Sequence, residues 1–276
     1  MMLSAIARRS DSGGATVNAE KQIWESAEKE RSRFEALHTP EARLRASEKN
    51  LARYLDPPQD TVFPLEYAFA LLGDVHGRTV LDFGCGSGEN TLLLARRGAR
   101  VIGVDISESL IQLARKRLEV NGVGADVRFV VGSAHDLPIA TGSIDIVMGI
   151  AILHHLDLDA TSREVHRVLS PGGRAIFQEP VRDSRLMRAV RRCIPYRAPD
   201  VSPFERPLTV SELQRFARPF KSLSMRAFTL PFVSVTYAIP PLRRYIMPAY
   251  HLDGAILKRA ALLRRFAGIR VLSVTR

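Results

Sequence analysis

Gly84, Gly86 and Gly88 stand at alternate positions directly after the apolar run from Thr79 to Phe83, and Asp105 ends a second apolar run seventeen residues further on. A strand, a glycine turn, a helical stretch (Glu89 to Arg97) and a second strand ending in an acid suit a nucleotide-like ligand. Glycines let the backbone turn tightly and let a ligand approach it, and an acid at a strand tip accepts from both hydroxyls of a ribose. The spacing is G-x-G-x-G, and Glu89 stands where a dinucleotide fingerprint has its last glycine. Asp82 precedes the turn. Two carboxylates repel a pyrophosphate, whereas they suit a ligand that joins ribose and adenine to a cationic tail. No Gly-Lys-Ser or Gly-Lys-Thr occurs, so the phosphate-cradling P-loop is absent.

Asp82-Phe83-Gly84-Cys85-Gly86-Ser87-Gly88 together with Asp105 resembles motif I and its acidic partner in class I S-adenosylmethionine-dependent methyltransferases of the type 11 group. The resemblance continues in order through Gly132-Ser133-Ala134-His135-Asp136-Leu137-Pro138, Gly142-Ser143-Ile144-Asp145-Ile146-Val147, Leu153-His154-His155-Leu156 and the stretch from Glu164 to Gly173. It implies S-adenosylmethionine as cofactor. The methionine part falls on Gly84, Cys85, Gly86 and Gly88 with Asp82 beside them, the ribose on Asp105, and the adenine against Ile106, Ser133 and Ala134. Ile150 follows at the carboxyl edge of the fourth strand. Many relatives carry an acid at the position of Ser133, where it accepts from the adenine amino group. Here a neutral hydroxyl stands in its place, with Ala134 backbone groups or His135 left to compensate.

Methyl transfer is an in-line displacement, and an unreactive hydroxyl acceptor must lose a proton for it. Imidazole titrates in the right range for that task. His154 or His155 could be the base, or both could pack and orient. Held geometry alone supplies about 7–11 kcal/mol of barrier reduction, so a base is not obligatory. Glu179, at the end of the fifth strand, reads as a substrate contact or as a cap on a following basic helix. No Asn/Asp-Pro-Pro-Tyr/Phe sequence occurs, and Cys193 lies in Arg-Arg-Cys-Ile-Pro rather than beside the proline or threonine of a base-C5 nucleophile. Both absences argue against a nucleic-acid base as acceptor. No clustered metal-ligand spacing is present.

The elements that must position these residues alternate. Strands are expected at 79–83, 100–104, 127–131, 144–148 and 174–178, and helices at 89–97, 107–121 and 159–169. That order gives a doubly wound α/β sheet, parallel with helices on both faces. The resemblance adds two last strands, 222–229 and 269–275, the final one antiparallel, for seven in all. Residues 1–17 read as a disordered tail and 18–72 as a helical extension in which Thr39 caps a helix restarting at Pro40. Residues 73–180 form the cofactor core, and 181–276 the acceptor side. Thr209-Val210-Ser211-Glu212 opens a helix with a capping box. The stretch between the last two strands is alternately apolar and basic, with a helix near 254–267, and reads as a lid.

The chain has 276 residues, 46% of them hydrophobic, enough for one α/β domain with extensions. Its two cysteines, Cys85 and Cys193, argue against a disulfide scaffold and for a reducing, cytoplasmic setting. No apolar run is long enough for a spanning helix. The net charge of +11 is unevenly placed: residues 182–276 carry 19 Lys/Arg against five Asp/Glu. That third therefore faces something anionic. With aromatic and aliphatic residues interleaved and no RNA-binding module, the expected partners are a small-molecule or lipid-like acceptor and an anionic membrane surface. An RNA or protein methyltransferase, and a non-catalytic S-adenosylmethionine-binding protein, are the alternatives.

Overall fold

The computed structural model describes residues 25–26, 28–182 and 206–276. The expected tail over 1–17 lies outside the described residues, as does all but Arg182 of the basic stretch Arg182 to Arg192. Seven strands form one sheet: β1 (Thr79–Phe83), β2 (Arg100–Asp105), β3 (Val127–Val131), β4 (Ile144–Ile150), β5 (Leu169–Pro180), β6 (Ser222–Phe228) and β7 (Ile269–Thr275). Their spatial order is β3-β2-β1-β4-β5-β7-β6. β7 runs antiparallel to both neighbours, and the pairs among β1 to β5 are parallel. This is the sheet expected from the sequence.

Parallel strands covered on both faces are apolar on both faces. The period of two divides their side chains into two cores. Leu81, Phe83, Val147 and Phe177 join one cluster, while Val80, Ile146, Met148 and Ile176 join the other. The first is covered by α6 (Leu158–Val168) and α7 (Val210–Phe216), the second by α3 (Pro64–Leu71) and α4 (Glu89–Arg96). Phe177, fully buried, meets the rings of Phe216 at 5.3 Å and Phe83 at 6.1 Å in edge-on geometry. The strand order reverses between β1 and β4, and ligands bind at the carboxyl ends of strands beside such a switch point.

The N-terminal extension departs from its expected form. Residues 28–38 form α1, but Thr39 does not cap a following helix: its hydroxyl donates back to the Glu35 carbonyl. Only a 3₁₀ turn (Glu41–Arg43) follows, and the next helix, α2 (Glu48–Leu55), is capped by Ser47. A side chain spent on the preceding turn cannot also satisfy the next one. α5 (Glu108–Val120) then ties the extension to the sheet. Asn121 at its end donates to the Leu44 carbonyl and accepts from the Ala46 amide, and Arg117 donates to the Arg43 carbonyl.

Between β6 and β7 the chain forms α8 (Pro231–Ala238) and α9 (Ile246–Arg259) with 3₁₀ turns after each. The helix expected near 254–267 instead ends at Arg259, where Ala260 leaves helical geometry. Gly254 lies so close to Val62 that a Cβ would stand 2.5 Å from Val62 Cγ1. That close approach seats α9 on the segment before α3. Phe177→Ala is expected to cost about 3–5 kcal/mol of stability, read from chemical denaturation, because it empties the contact between β5 and α7.

Candidate active site

The turn after β1 is built from backbone that other residues resist. Gly84 has φ +72° and Gly88 φ +80°, and Cβ atoms there would stand 2.7 Å from the Ile152 side chain and 2.8 Å from Ala114 Cβ. Asp105 at the tip of β2 fixes the turn. One carboxylate oxygen accepts from the Gly86 amide and the other from the Ser107 amide, both at 2.9 Å. Ser107 in turn caps α5 by accepting from the Leu110 amide. From α5, Arg117 donates to the Ser87 carbonyl at 2.8 Å.

Around this turn lies a cavity of about 290 Å³. Gly84, Cys85, Gly86, Asp105, Ile106, Ser133, Ala134, Ile150 and His155 all line it, so the structure brings together most of the residues singled out from the sequence. Its ionisable lining is unbalanced: Glu28, Glu35, Glu89 and Asp105 face it, with Arg31 as the cation among the described residues. Burial pushes Asp105 above the usual carboxylate range, and amides of Ser107 and Gly86 pull it back. A cationic ligand is favoured in such a site and a pyrophosphate is opposed. Each Asp105 oxygen retains a lone pair beyond its amide bond, as ribose hydroxyls require.

Two expected cofactor residues are corrected. Asp82 is 1% exposed and does not line the cavity; its carboxylate accepts from the Thr91 hydroxyl beneath the turn. Gly88 faces Ala114 on α5 and starts α4. The lid expected from residues 229–268 contributes nothing to the cavity lining among the described residues; α1 does so instead, through Glu28, Arg31 and Glu35. The sequence held a signal for those three, since spacings of three and four place them on one helix face. Ser133 has an acid beside it after all: its hydroxyl donates to Glu25 at 3.3 Å, across 108 residues of chain. Ala151, also lining the cavity, has φ +54°, a left-handed conformation rare for a residue with a Cβ.

Both Glu179 oxygens are engaged within the protein, and the basic helix it was expected to cap lies outside the described residues. Glu179 is fully buried, and one carboxylate oxygen accepts from the amides of Ile152 and Leu153 at 2.9 and 2.7 Å. The other oxygen lies 2.8 Å from His154 Nδ1. An ionised carboxylate can only accept, so Nδ1 carries the hydrogen of this bond, and in the neutral ring Nε2 is then the acceptor nitrogen. His154 and His155 rings lie 4.1 Å apart. Burial, with His154 and Arg31 nearby, pulls His155 down to about 3, so it stays neutral. His154 opens on a second cavity, of about 220 Å³, lined also by Arg206, Glu212 and Arg215 and sharing His155 and Leu156 with the first. Burial likewise pushes the Cys85 thiol up, so it is no nucleophile. Among the described residues no group of His, Cys, Asp or Glu could hold a metal ion.

Residues 81–177 match the family described as "Methyltransferase domain". Residues 81–177 are thus a methyltransferase domain, set in a sheet of the class I methyltransferase fold. Its sequence is 38% identical over 107 residues to a demethylmenaquinone methyltransferase of Symbiobacterium thermophilum, covering 37% of this chain and 43% of that protein. It is 36% identical over 104 residues to a ubiquinone biosynthesis O-methyltransferase of Pseudomonas paraeruginosa, covering 37% and 44%. The match thus spans less than half the length of either relative. In fold, the geranyl diphosphate C-methyltransferase of Streptomyces coelicolor A3(2), solved with S-adenosyl-L-homocysteine, superposes with a TM-score of 0.54 over 76% of this chain and 78% of that one, at 18% identity.

Burial raises Asp82 to about 7, with the Thr91 hydrogen bond opposing. In the folded methyltransferase domain Asp82 therefore holds its proton to a higher pH than in the unfolded chain. Stability falls as pH rises from about 4, where the unfolded carboxylate titrates, to about 7, and levels off above that. Asp82→Asn, which keeps an acceptor for Thr91, is expected to flatten that slope in urea unfolding measured across this range.

Proposed function

We propose that the protein is an S-adenosylmethionine-dependent methyltransferase acting on a small organic or lipid-like acceptor. The observation that carries this reading is the carboxylate-rich cavity at the β1–β2–β4 edge, with Asp105 clamped against the glycine turn. When bound, S-adenosylmethionine supplies a methyl group on a cationic sulfur, ready for displacement. Asp105 would accept from the ribose hydroxyls, with Ile106 and Ala134 against the adenine. Glu25, beside Ser133, would supply the acceptor for the adenine amino group that position 133 lacks. Glu28 and Glu35 favour the positive charge of the whole cofactor.

The acceptor enters from the side of His154 in this reading. Glu179 holds that ring, and Nε2 takes the proton that an acceptor hydroxyl or amine loses as its lone pair attacks the methyl carbon. The methyl–sulfur bond breaks, and the products are the methylated acceptor and S-adenosylhomocysteine. His155 stays neutral and, with Leu156, lines both cavities where they adjoin. The relatives named as a demethylmenaquinone methyltransferase and a ubiquinone biosynthesis O-methyltransferase support a small-molecule acceptor, and the two-cysteine composition supports a cytoplasmic setting.

The reading is tested with methyl-labelled S-adenosylmethionine and an extract of the source cells, separated into organic-soluble, nucleic-acid and protein fractions. Label is expected in the organic-soluble fraction; label in nucleic acid or protein overturns the acceptor class, and binding without turnover points to a cofactor-binding regulator. Asp105→Ala is expected to weaken S-adenosylmethionine binding by about 10- to 100-fold in titration calorimetry, from the loss of hydrogen bonds to a charged acceptor. His154→Ala is expected to lower kcat by about 10²- to 10⁴-fold while leaving that affinity within about twofold. An unchanged kcat removes the base from the mechanism.

A further inference from the structure

We infer that the insertion between β6 and β7 docks on the surface of an anionic lipid bilayer. Fourteen large apolar side chains are exposed among the described residues, and nine of them fall between Thr229 and Gly268. Phe232 is 49% exposed, Tyr237 62% and Leu262 76%. Scattered exposed apolar side chains are ordinary, but a concentration of them marks an interaction surface. The remaining five are spread over α1, α2, β3 and β6.

The charge on the same stretch is one-sided. It carries Arg243, Arg244, Lys258, Arg259, Arg264 and Arg265 against one acid, Asp253. That acid is 1% exposed, and its carboxylate accepts from the amides of Leu230 and Val233, capping the start of α8. The six cations are all exposed, so the solvent-facing charge is wholly positive. The cations also lie among the aromatic rings: Arg243 stands 5.5 Å from the Tyr237 ring centroid and Arg244 4.8 Å from that of Tyr245. Tyrosine and arginine combine an apolar body with a polar tip, which suits the boundary between acyl chains and headgroups. Phosphate headgroups neutralise the guanidinium and ammonium groups while Phe232, Val235 and Leu262 enter the acyl boundary. RNA would meet the cations but offer nothing to Val235, Ile239, Met247, Leu252, Leu262 and Leu263.

No helix among the described residues is long and apolar enough to cross a membrane, so the insertion lies on the surface. The strand registers place it at the working edge of the sheet. Phe228 and Pro180 both pair with Ile269, and Gln178, two residues before Pro180, pairs with Ile150, which lines the cofactor cavity. Docking therefore turns that edge toward the bilayer. A lipid-dissolved acceptor reaches the site without crossing water, a consequence that rests on the proposed methyltransferase reading.

The test is co-sedimentation of the full chain with vesicles of phosphatidylcholine alone and of phosphatidylcholine with equimolar phosphatidylglycerol. The protein is expected to sediment with the anionic vesicles only and to be released by salt. Arg243→Glu combined with Arg244→Glu is expected to weaken partitioning at least about tenfold. Phe232→Ser combined with Leu262→Ser is expected to weaken it with an unchanged salt dependence. These side chains are exposed, and circular dichroism and the unfolding temperature check that the variants fold. Partitioning that ignores lipid charge, none at all, or full retention by the arginine variant overturns the inference. So does retention on RNA without vesicle binding, or dimerisation lost in the same variants without it. The readout needs no turnover, so failure of the methyltransferase reading and failure of the docking surface are seen separately.

Discussion

The Asp105 carboxylate holds the site together. Its two oxygens take one amide from the glycine turn and one from the entrance of α5, so β1, β2 and α5 converge on a single side chain. A buried carboxylate is costly unless hydrogen bonds satisfy it. Here the bonds that satisfy it also shape the cavity floor, so the ligand-binding acid and the backbone that cradles the ligand cannot be changed independently. Arg117 reinforces this from the far side by donating to Ser87 and to Arg43. The N-terminal extension and the glycine turn therefore hang on the same helix.

Glu179 does for the second half of the site what Asp105 does for the first. It gathers the amides of Ile152 and Leu153 and the His154 ring, at a place where β5 ends beside β4. Removing it would leave three donors without their acceptor, which is a structural penalty as well as a chemical one. The left-handed Ala151 lies immediately before this clamp, with its amide bonded to the Gln178 carbonyl. The backbone there is bent out of ordinary strand geometry to bring Ile150 and Ile152 to the cavity wall, and strain of this kind persists only where the surroundings over-determine it.

The sheet and the glycine–acid pair were legible because their signals are local. Apolar runs, glycines at alternate positions and an acid at a strand tip all lie within a span of some thirty residues, and neighbouring residues dictate their meaning. Gly88 and Asp82 show the limit of that reading. Spacing placed both at the ligand, but packing sent Gly88 against Ala114 and Asp82 under Thr91, because a three-glycine turn needs support on the side away from the ligand. Glu179 was recognised as important, but its partners, just past the end of β4 and 25 to 27 residues earlier, have no local signal. Helical spacing groups the acids of α1 on one face, but that this face meets the cavity, and that Glu25 meets Ser133, was not legible for the same reason. Both depend on where a remote helix lands, and that is set by Asn121 and Arg117 gripping backbone carbonyls that carry no sequence signature.

The strand order carries a consequence for how the fold is reached. β7 is the last strand along the sequence, yet it sits between β5 and β6 and pairs with both along its whole length. Among the described residues β6 has no other partner in the sheet, so it must wait, already synthesised, through the forty residues that precede β7. Until β7 arrives, the hydrogen-bonding edge of β5 is open, with the apolar Ala175, Ile176 and Phe177 in that edge strand. An open edge of this composition is a template for pairing with another chain. The step most exposed to misassembly is thus the closing one, and holding β5 safe until then is a task for chaperones or for speed.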